Sequence, residues 1–186
     1  MKNLKAFSLA AVMALMALAG AGSASAAEVY STGVTQPAGT TIAGSLTPGT
    51  TWKETSTDTK TTLTTCTGYS YHGTIAPYTG GSVKIDVSSW SLINCSATTD
   101  TLSNGSFFVS STGTVSGEGT VFTVNFGGVS CRYGTGGGTH LGTVSTGALA
   151  INAVINEQEP KAFLCPDSTE WTGTTRITVP HDVTVS

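Results

Sequence analysis

Charge is the scarcest ingredient of this 186-residue chain. Asp, Glu, Lys and Arg make up 10% of it, against roughly 25% in ordinary soluble domains. Metal-ligand spacing is missing as well. No cysteine has a second cysteine close by, and the three histidines, His72, His140 and His181, stand far apart, so nothing follows the short-spaced pattern of a zinc site. The nucleophile elbow, the H-E-x-x-H helix and the phosphate-binding Walker loop are absent. The acids Asp86, Asp100, Asp167 and Asp182 are scattered and do not form the run of a calcium loop. A glycosidase needs two carboxyl groups facing one cleft, and no acid lies in an aromatic-rich stretch of that kind. The residues therefore predict no enzyme, no cofactor and no metal.

The ends divide the chain. Lys2 and Lys5 precede an apolar run from Ala6 to Gly22, and Ala24-Ser25-Ala26 supplies a small-x-small cleavage pattern. That order predicts a secretory signal peptide over residues 1–26, with residues 27–186 as a single mature domain and no cysteine at the cut for a lipid anchor. The apolar run is shorter than the roughly 20 residues of a membrane span. Without Lys2 and Lys5, six cationic residues face eleven acidic ones, a net charge of about −5. Such a surface has no electrostatic footprint for nucleic acid or for an anionic membrane. The expected location is secreted, periplasmic or at the cell surface.

Thr, Ser and Gly take the place of the missing charges. Threonine is β-branched and suits a pleated, half-solvated face. Four cysteines in an exported chain predict two disulfides. Three pairings are open; Cys66–Cys95 and Cys131–Cys165 are favoured because each brackets a strand–turn–strand unit. Closing loops of that length contributes roughly 3–4 kcal/mol apiece on chain-entropy grounds.

Period-2 alternation recurs along the chain. Leu63, Tyr69, Tyr71 and Ile75 share one parity, as do Val83, Ile85 and Val87. Trp90 and Leu92 fall on the opposite parity, which predicts a bulge near Ser88-Ser89 that returns them to the core. Phe122, Val124 and Phe126 form another inward set, then Leu149, Ile151, Ala153 and Ile155, then Trp171, Gly173, Thr175, Ile177 and Val179. Short strands are also expected near residues 27–34 and 40–46. Trp52 to Lys60 reads as a charged, exposed loop with Trp52 as its anchor, Asn104-Gly105 as a hairpin turn, Gly113 to Gly119 as a polar connection, and Gly136 to Gly138 as part of a flexible turn. Nine or ten strands with frequent turns predict an all-β fold, an antiparallel β-sandwich with the jelly roll among its forms.

Tyr69, Tyr71, Tyr78 and Trp90 are the aromatic candidates for a binding surface. Parity assigns Tyr69, Tyr71 and Trp90 to the core. Tyr78, in the turn after Ala76-Pro77, is the one expected to be exposed, and it is the candidate ligand contact. The triplets at Asn94 and Asn104 match the glycosylation pattern.

The run VTQPAGTTIAGSL, the Asn104-Gly105-Ser106 turn and the closing C-x5-W-T-G-T-x-x-I-T-V stretch resemble an uncharacterised group of small secreted bacterial Thr/Gly-rich β-proteins with four cysteines. In layout the chain is more loosely similar to the secreted alkane-oxidation activators, which are associated with surface and biofilm roles. The segment around Glu157 to Pro160 departs from the group's pattern, and the resemblance brings no catalytic residues. It implies a structural or adhesive protein at the cell surface or in the extracellular matrix. A small module for carbohydrate or a hydrophobic ligand is the alternative, and an enzyme the third reading. Self-assembly or a surface partner is expected, with an unpaired terminal strand, residues 27–34 or 181–186, adding to a neighbour's sheet.

Overall fold

The computed structural model describes residues 27–77 and 81–186. The expected signal segment and Tyr78 lie outside the described residues. Among the described residues there are strands and turns and no helix. The strands are β1 (Val29–Ser31), β2 (Val34–Thr35), β3 (Thr41–Leu46), β4 (Trp52–Ser56), β5 (Thr62–Ala76), β6 (Ser82–Cys95) and β7 (Thr99–Ser110). They continue with β8 (Thr114–Phe126), β9 (Val129–Gly134), β10 (Thr139–Ser145), β11 (Ala148–Glu157), β12 (Ser168–Val179) and β13 (Val183–Val185).

Ten of these form one antiparallel sheet, and β13-β1-β2 form a small second one. The large sheet curls back on itself. At one end it closes through eight strands, in the circuit β5-β6-β7-β8-β10-β11-β12-β3. At the other end β4 takes the place of β3 and β9 the place of β10. There the ring is open, because the β6–β7 ladder stops at Asp86–Ser106. The antiparallel sandwich is thus a twisted ring with opposed walls, short of a true barrel. Long strands mostly follow one another as neighbours, an up-and-down order and not the crossed-over order of a jelly roll.

Side-chain parity explains the walls. Leu63, Tyr69, Tyr71 and Ile75 are buried, as are Val83, Ile85 and Val87. Ser88 is the extra residue of the expected bulge: His72 pairs with Ser89 and Gly73 with Val87. Beyond it Trp90 and Leu92 pack against the core. Both expected disulfides are present, Cys66–Cys95 and Cys131–Cys165. Cys66 and Cys95 are directly opposed on β5 and β6, so that bridge closes the hairpin at the ring's open end.

Five expectations are overturned, the smallest being Val179, which a register shift after Ile177 leaves 46% exposed. Residues 52–56 are a strand, not a loop, with Trp52, Glu54 and Ser56 all buried; its buried acid disguised the alternation. Asn104-Gly105 lies inside β7 and makes no hairpin. Gly105 has φ 66° and faces Gly119 with φ 71°, so the left-handed pair kinks two strands together while pairing resumes on either side. Residues 114–119 belong to β8, where Val115 is 1% exposed; glycines there leave room for neighbours instead of marking a connection. The terminal strands are not unpaired: β1 pairs with β13 in register from Val29–Val185 to Ser31–Val183 and with β2 on its other side, which leaves β13 and β2 as the edges of the small sheet.

The interior is a chain of rings. Trp52 lies parallel to Tyr69 with centroids 6.5 Å apart and meets Phe122 and Trp171 edge-on. Tyr69 and Tyr71 continue it through Trp90 to Phe107. All three tryptophans belong to it. Gly44 and Gly173 are spaces left for this column: a Cβ on Gly44 would stand 2.6 Å from Tyr71 Cε1, and one on Gly173 3.2 Å from Trp52 Cδ1. Because Tyr71 is wedged by Trp90 and Phe107, it cannot swing aside. Gly44→Ala is expected to destabilise the fold by about 1–3 kcal/mol. Thermal denaturation checks this, and an unchanged melting temperature would refute the ring contact.

Candidate functional site

Three features outside ordinary packing compete for a functional role. The first is Glu54. Its place on β4 turns it inward between Trp52 and Ser56, and it is fully buried. Thr169 Oγ1 donates to its Oε1 at 2.8 Å, while Oε2 has no hydrogen-bond partner. Burial pushes its pKa up to about 8, against the opposing hydrogen bond from Thr169. A carboxyl held protonated near neutrality suits a general acid, but a wholly buried group reaches no substrate. Tyr133, on β9, has its phenol held high, first by burial and then by the acids Glu54, Glu157 and Asp167. Its hydroxyl donates to the Pro166 carbonyl at 3.1 Å. Glu54 and Tyr133 are buried side chains and do not line a cleft.

The second feature is the gap in the ring. Past Ser88, β6 pairs only with β5, and residues 99–104 of β7 pair only with β8. Asn104 bridges the mouth: its Nδ2 donates to the Ser88 carbonyl at 2.7 Å, and its own carbonyl accepts from Trp90 Nε1 at 2.8 Å and Thr120 Oγ1 at 2.9 Å. Behind it lie Trp52, Tyr69, Trp90, Phe122 and Trp171 around a space of about 10 Å³, about enough for one water. The Tyr69 hydroxyl and Trp171 Nε1 are buried without a partner. Aromatic walls with unused polar atoms fit a ligand site in chemistry, though the gap admits nothing larger unless β6 and β7 part.

The third feature is the loop between β11 and β12. Phe163 is 101% exposed and Leu164 62%, an apolar tip with no core beneath it. The loop is held from both sides. Cys165 is bonded to Cys131 on β9, and the Ala162 N–H donates to Glu157 Oε1 at 2.9 Å. The Gln158 N–H donates to the Arg132 carbonyl at 2.7 Å and the Glu157 N–H to the Asp167 carbonyl at 2.8 Å. Lys161 Nζ lies 3.4 Å from Asp167 Oδ1. Binding residues are disproportionately found on loops positioned by a rigid scaffold, which makes this tip the candidate contact surface.

No protein-family model, curated protein or solved structure matches the chain.

The other sequence candidates are not brought together. His72 and His140 point outward from β5 and β10, and His181 lies exposed between β12 and β13. Among the described residues no group of three His, Cys, Asp or Glu could hold a metal ion. Gly127-Gly128 forms the β8–β9 turn, and Gly136 to Gly138 lies in the β9–β10 connection. Sequence reasoning missed Phe163-Leu164. The available signal was two adjacent large apolar residues next to Cys165-Pro166, in a stretch with no strand alternation to turn either one inward.

Two outcomes follow from this geometry. The raised pKa of Glu54 means that the folded chain keeps a proton the unfolded chain has lost between about 4.5 and 8. Its contribution is therefore complete at low pH and is lost as pH rises, by an amount of the order of 3–5 kcal/mol. Melting curves from pH 4 to 9 should fall across that window, and Glu54→Gln, which keeps an oxygen for Thr169, should flatten the fall; equal slopes would refute the assignment. Replacing Cys131 and Cys165 together by serine should cost roughly 3–4 kcal/mol and make Lys161–Ala162 the first bond cut by trypsin. Unchanged digestion would show that the bridge does not hold the tip.

Proposed function

We propose that this is a non-catalytic exported protein with a structural or adhesive role at the cell surface or in the extracellular matrix. The exposed Phe163-Leu164 tip carries the reading. Apolar groups held out in water by a disulfide and backbone hydrogen bonds do nothing for the core and are placed for contact with another surface. Two disulfides fit an oxidising compartment, as does the signal-like start of the sequence. The sparse charge leaves strand faces of Thr, Ser and Asn, which suit close lateral packing more than binding of a charged partner. The strongly shifted carboxyl group, Glu54, is sealed from solvent. The second reading, a module for a hydrophobic or carbohydrate ligand, rests on the aromatic gap between β6 and β7.

Retention of purified protein on hydrophobic beads and on the producing cells tests the first reading. Phe163→Ser with Leu164→Ser should cut retention at least roughly tenfold, the loss expected when one apolar side chain ceases to be covered. Both residues are exposed, so stability should stay within about 0.5 kcal/mol. Equal retention of the two proteins would overturn the reading. Saturable binding in a glycan and aromatic-ligand screen, with quenching of Trp90, would put the second reading in its place.

A further inference from the structure

Phe163 and Leu164 are the two central residues of a turn. The Cys165 N–H donates to the Ala162 carbonyl at 2.9 Å, which closes the four residues on themselves. The corner of such a turn is its farthest reach, and both corner side chains here are large and apolar. One leg is pinned by the Cys131–Cys165 bridge, and the other by the Ala162 N–H that Glu157 accepts. The other large apolar side chains exposed among the described residues, Val34, Ile93, Leu102, Val154 and Val179, lie on strands β2, β6, β7, β11 and β12. The tip is therefore a protruding point and not the middle of an apolar patch.

Shape and charge together select what covers it. An anchor at a protein interface relies on neighbouring contacts to exclude water, within roughly 800 Å² of surface on each partner. Here the shoulders are charged. Lys161 Nζ lies 3.4 Å from Asp167 Oδ1 with both side chains exposed, and Glu159 is exposed beside them. Such a point needs a soft medium that closes around it while its shoulders stay in a polar layer. The acyl boundary of a lipid surface, with headgroups above it, is that medium. Charge then selects the lipid. The loop carries three acids, Glu157, Glu159 and Asp167, against one cation, Lys161, so an anionic layer repels it. A zwitterionic layer has no net charge, and its phosphate and ammonium groups match the exposed Lys161–Asp167 pair.

We propose that Phe163 and Leu164 insert into a zwitterionic lipid surface of the phosphatidylcholine type, with the Lys161–Asp167 pair among the headgroups. The insertion rests on the adhesive reading above and deepens it by naming the surface. An acidic chain argues against an anionic membrane only, so the two statements agree. Burying one such side chain shifts the equilibrium roughly 10- to 100-fold. Two of them stay below the about 10⁴ M⁻¹ of a single myristoyl chain, so half-binding falls above about 0.1 mM lipid. The contact is weak and reversible, and firm attachment takes many copies on one surface.

Flotation of the purified protein with phosphatidylcholine vesicles, over roughly 0.1–10 mM lipid, tests the insertion. Bound protein should rise through that range. Phe163→Ser with Leu164→Ser should bind at least roughly tenfold less while keeping a native melting temperature. A Phe163→Trp variant should bind as the wild type does, and its added indole should shift to the blue and be quenched by brominated acyl chains. Admixed phosphatidylglycerol should weaken binding, and Asp167→Asn should reduce that loss. No binding at the highest lipid, equal binding by the serine variant, an added indole that stays in water, or binding that rises with anionic lipid would each overturn the proposal. Vesicles and cells separate this contact from the reading it rests on. Wild type retained on cells through the tip but absent from vesicles refutes the lipid and assigns the tip to a protein receptor. Retention on cells that ignores the serine substitutions removes the adhesive reading, even where vesicle binding still depends on the tip.

Discussion

Everything in this fold accommodates one column of aromatic rings. Trp171, Phe122, Trp52, Tyr69, Trp90 and Phe107 touch in sequence from wall to wall, and aromatic side chains dominate burial energetics wherever they gather. The sheet adapts to them at defined places. Gly44 and Gly173 lack side chains where rings approach. The extra residue Ser88 rotates β6 so that Trp90 turns inward. The kink at Gly105 and Gly119 positions Asn104 to accept the Trp90 indole proton. The same adaptation leaves the ring open: once Asn104 bonds Trp90 and Ser88, β6 and β7 no longer pair with each other. The gap and the column are one event.

Scarcity of charge sets the second constraint. With few ion pairs available, only Lys84–Asp86 and Lys161–Asp167 are seen among the described residues, and surface pairs contribute little in any case. Stability must come from burial, ladders and the two bridges. Against that background Glu54 is costly, an acid in the wall between Trp52 and Ser56. It persists because one oxygen has Thr169 and because protonation removes the charge. The consequence is that this one group stabilises the fold less as pH rises through the range in which it would ionise.

The frame of the fold was legible in the sequence, and for a physical reason. A strand with one buried face must alternate, so the parity of Leu63 to Ile75 and of Leu149 to Ile155 could be read directly, and the parity break at Trp90 forced a bulge. The disulfides followed from their position around hairpins. Residues 52–56 were not legible because the rule assumes that a buried face is apolar, and here Glu54 and Ser56 are buried. Asn104-Gly105 misled because its chemistry supports both a tight turn and a left-handed kink; only the partner strand, with Gly119 opposite, decides between them. Phe163 and Leu164 were illegible for the converse reason. They drew no assignment, because no local pattern states that a loop is pinned outward.

The position of that loop is set by its anchors. An apolar tip on a mobile loop folds back onto the nearest greasy surface, since burial there costs little order. This one cannot. Its ends are fixed by Cys131–Cys165 and by β11 and β12, and Glu157 spends its carboxylate on the Ala162 amide. Holding Phe163 away from the core has no benefit to folding, and the constraint falls on the residues that would otherwise collapse. The loop is also at the ring's open end, farthest from the paired termini. What the bridge and the hydrogen bonds leave is an apolar point fixed in solvent, at the end of the ring opposite the paired termini.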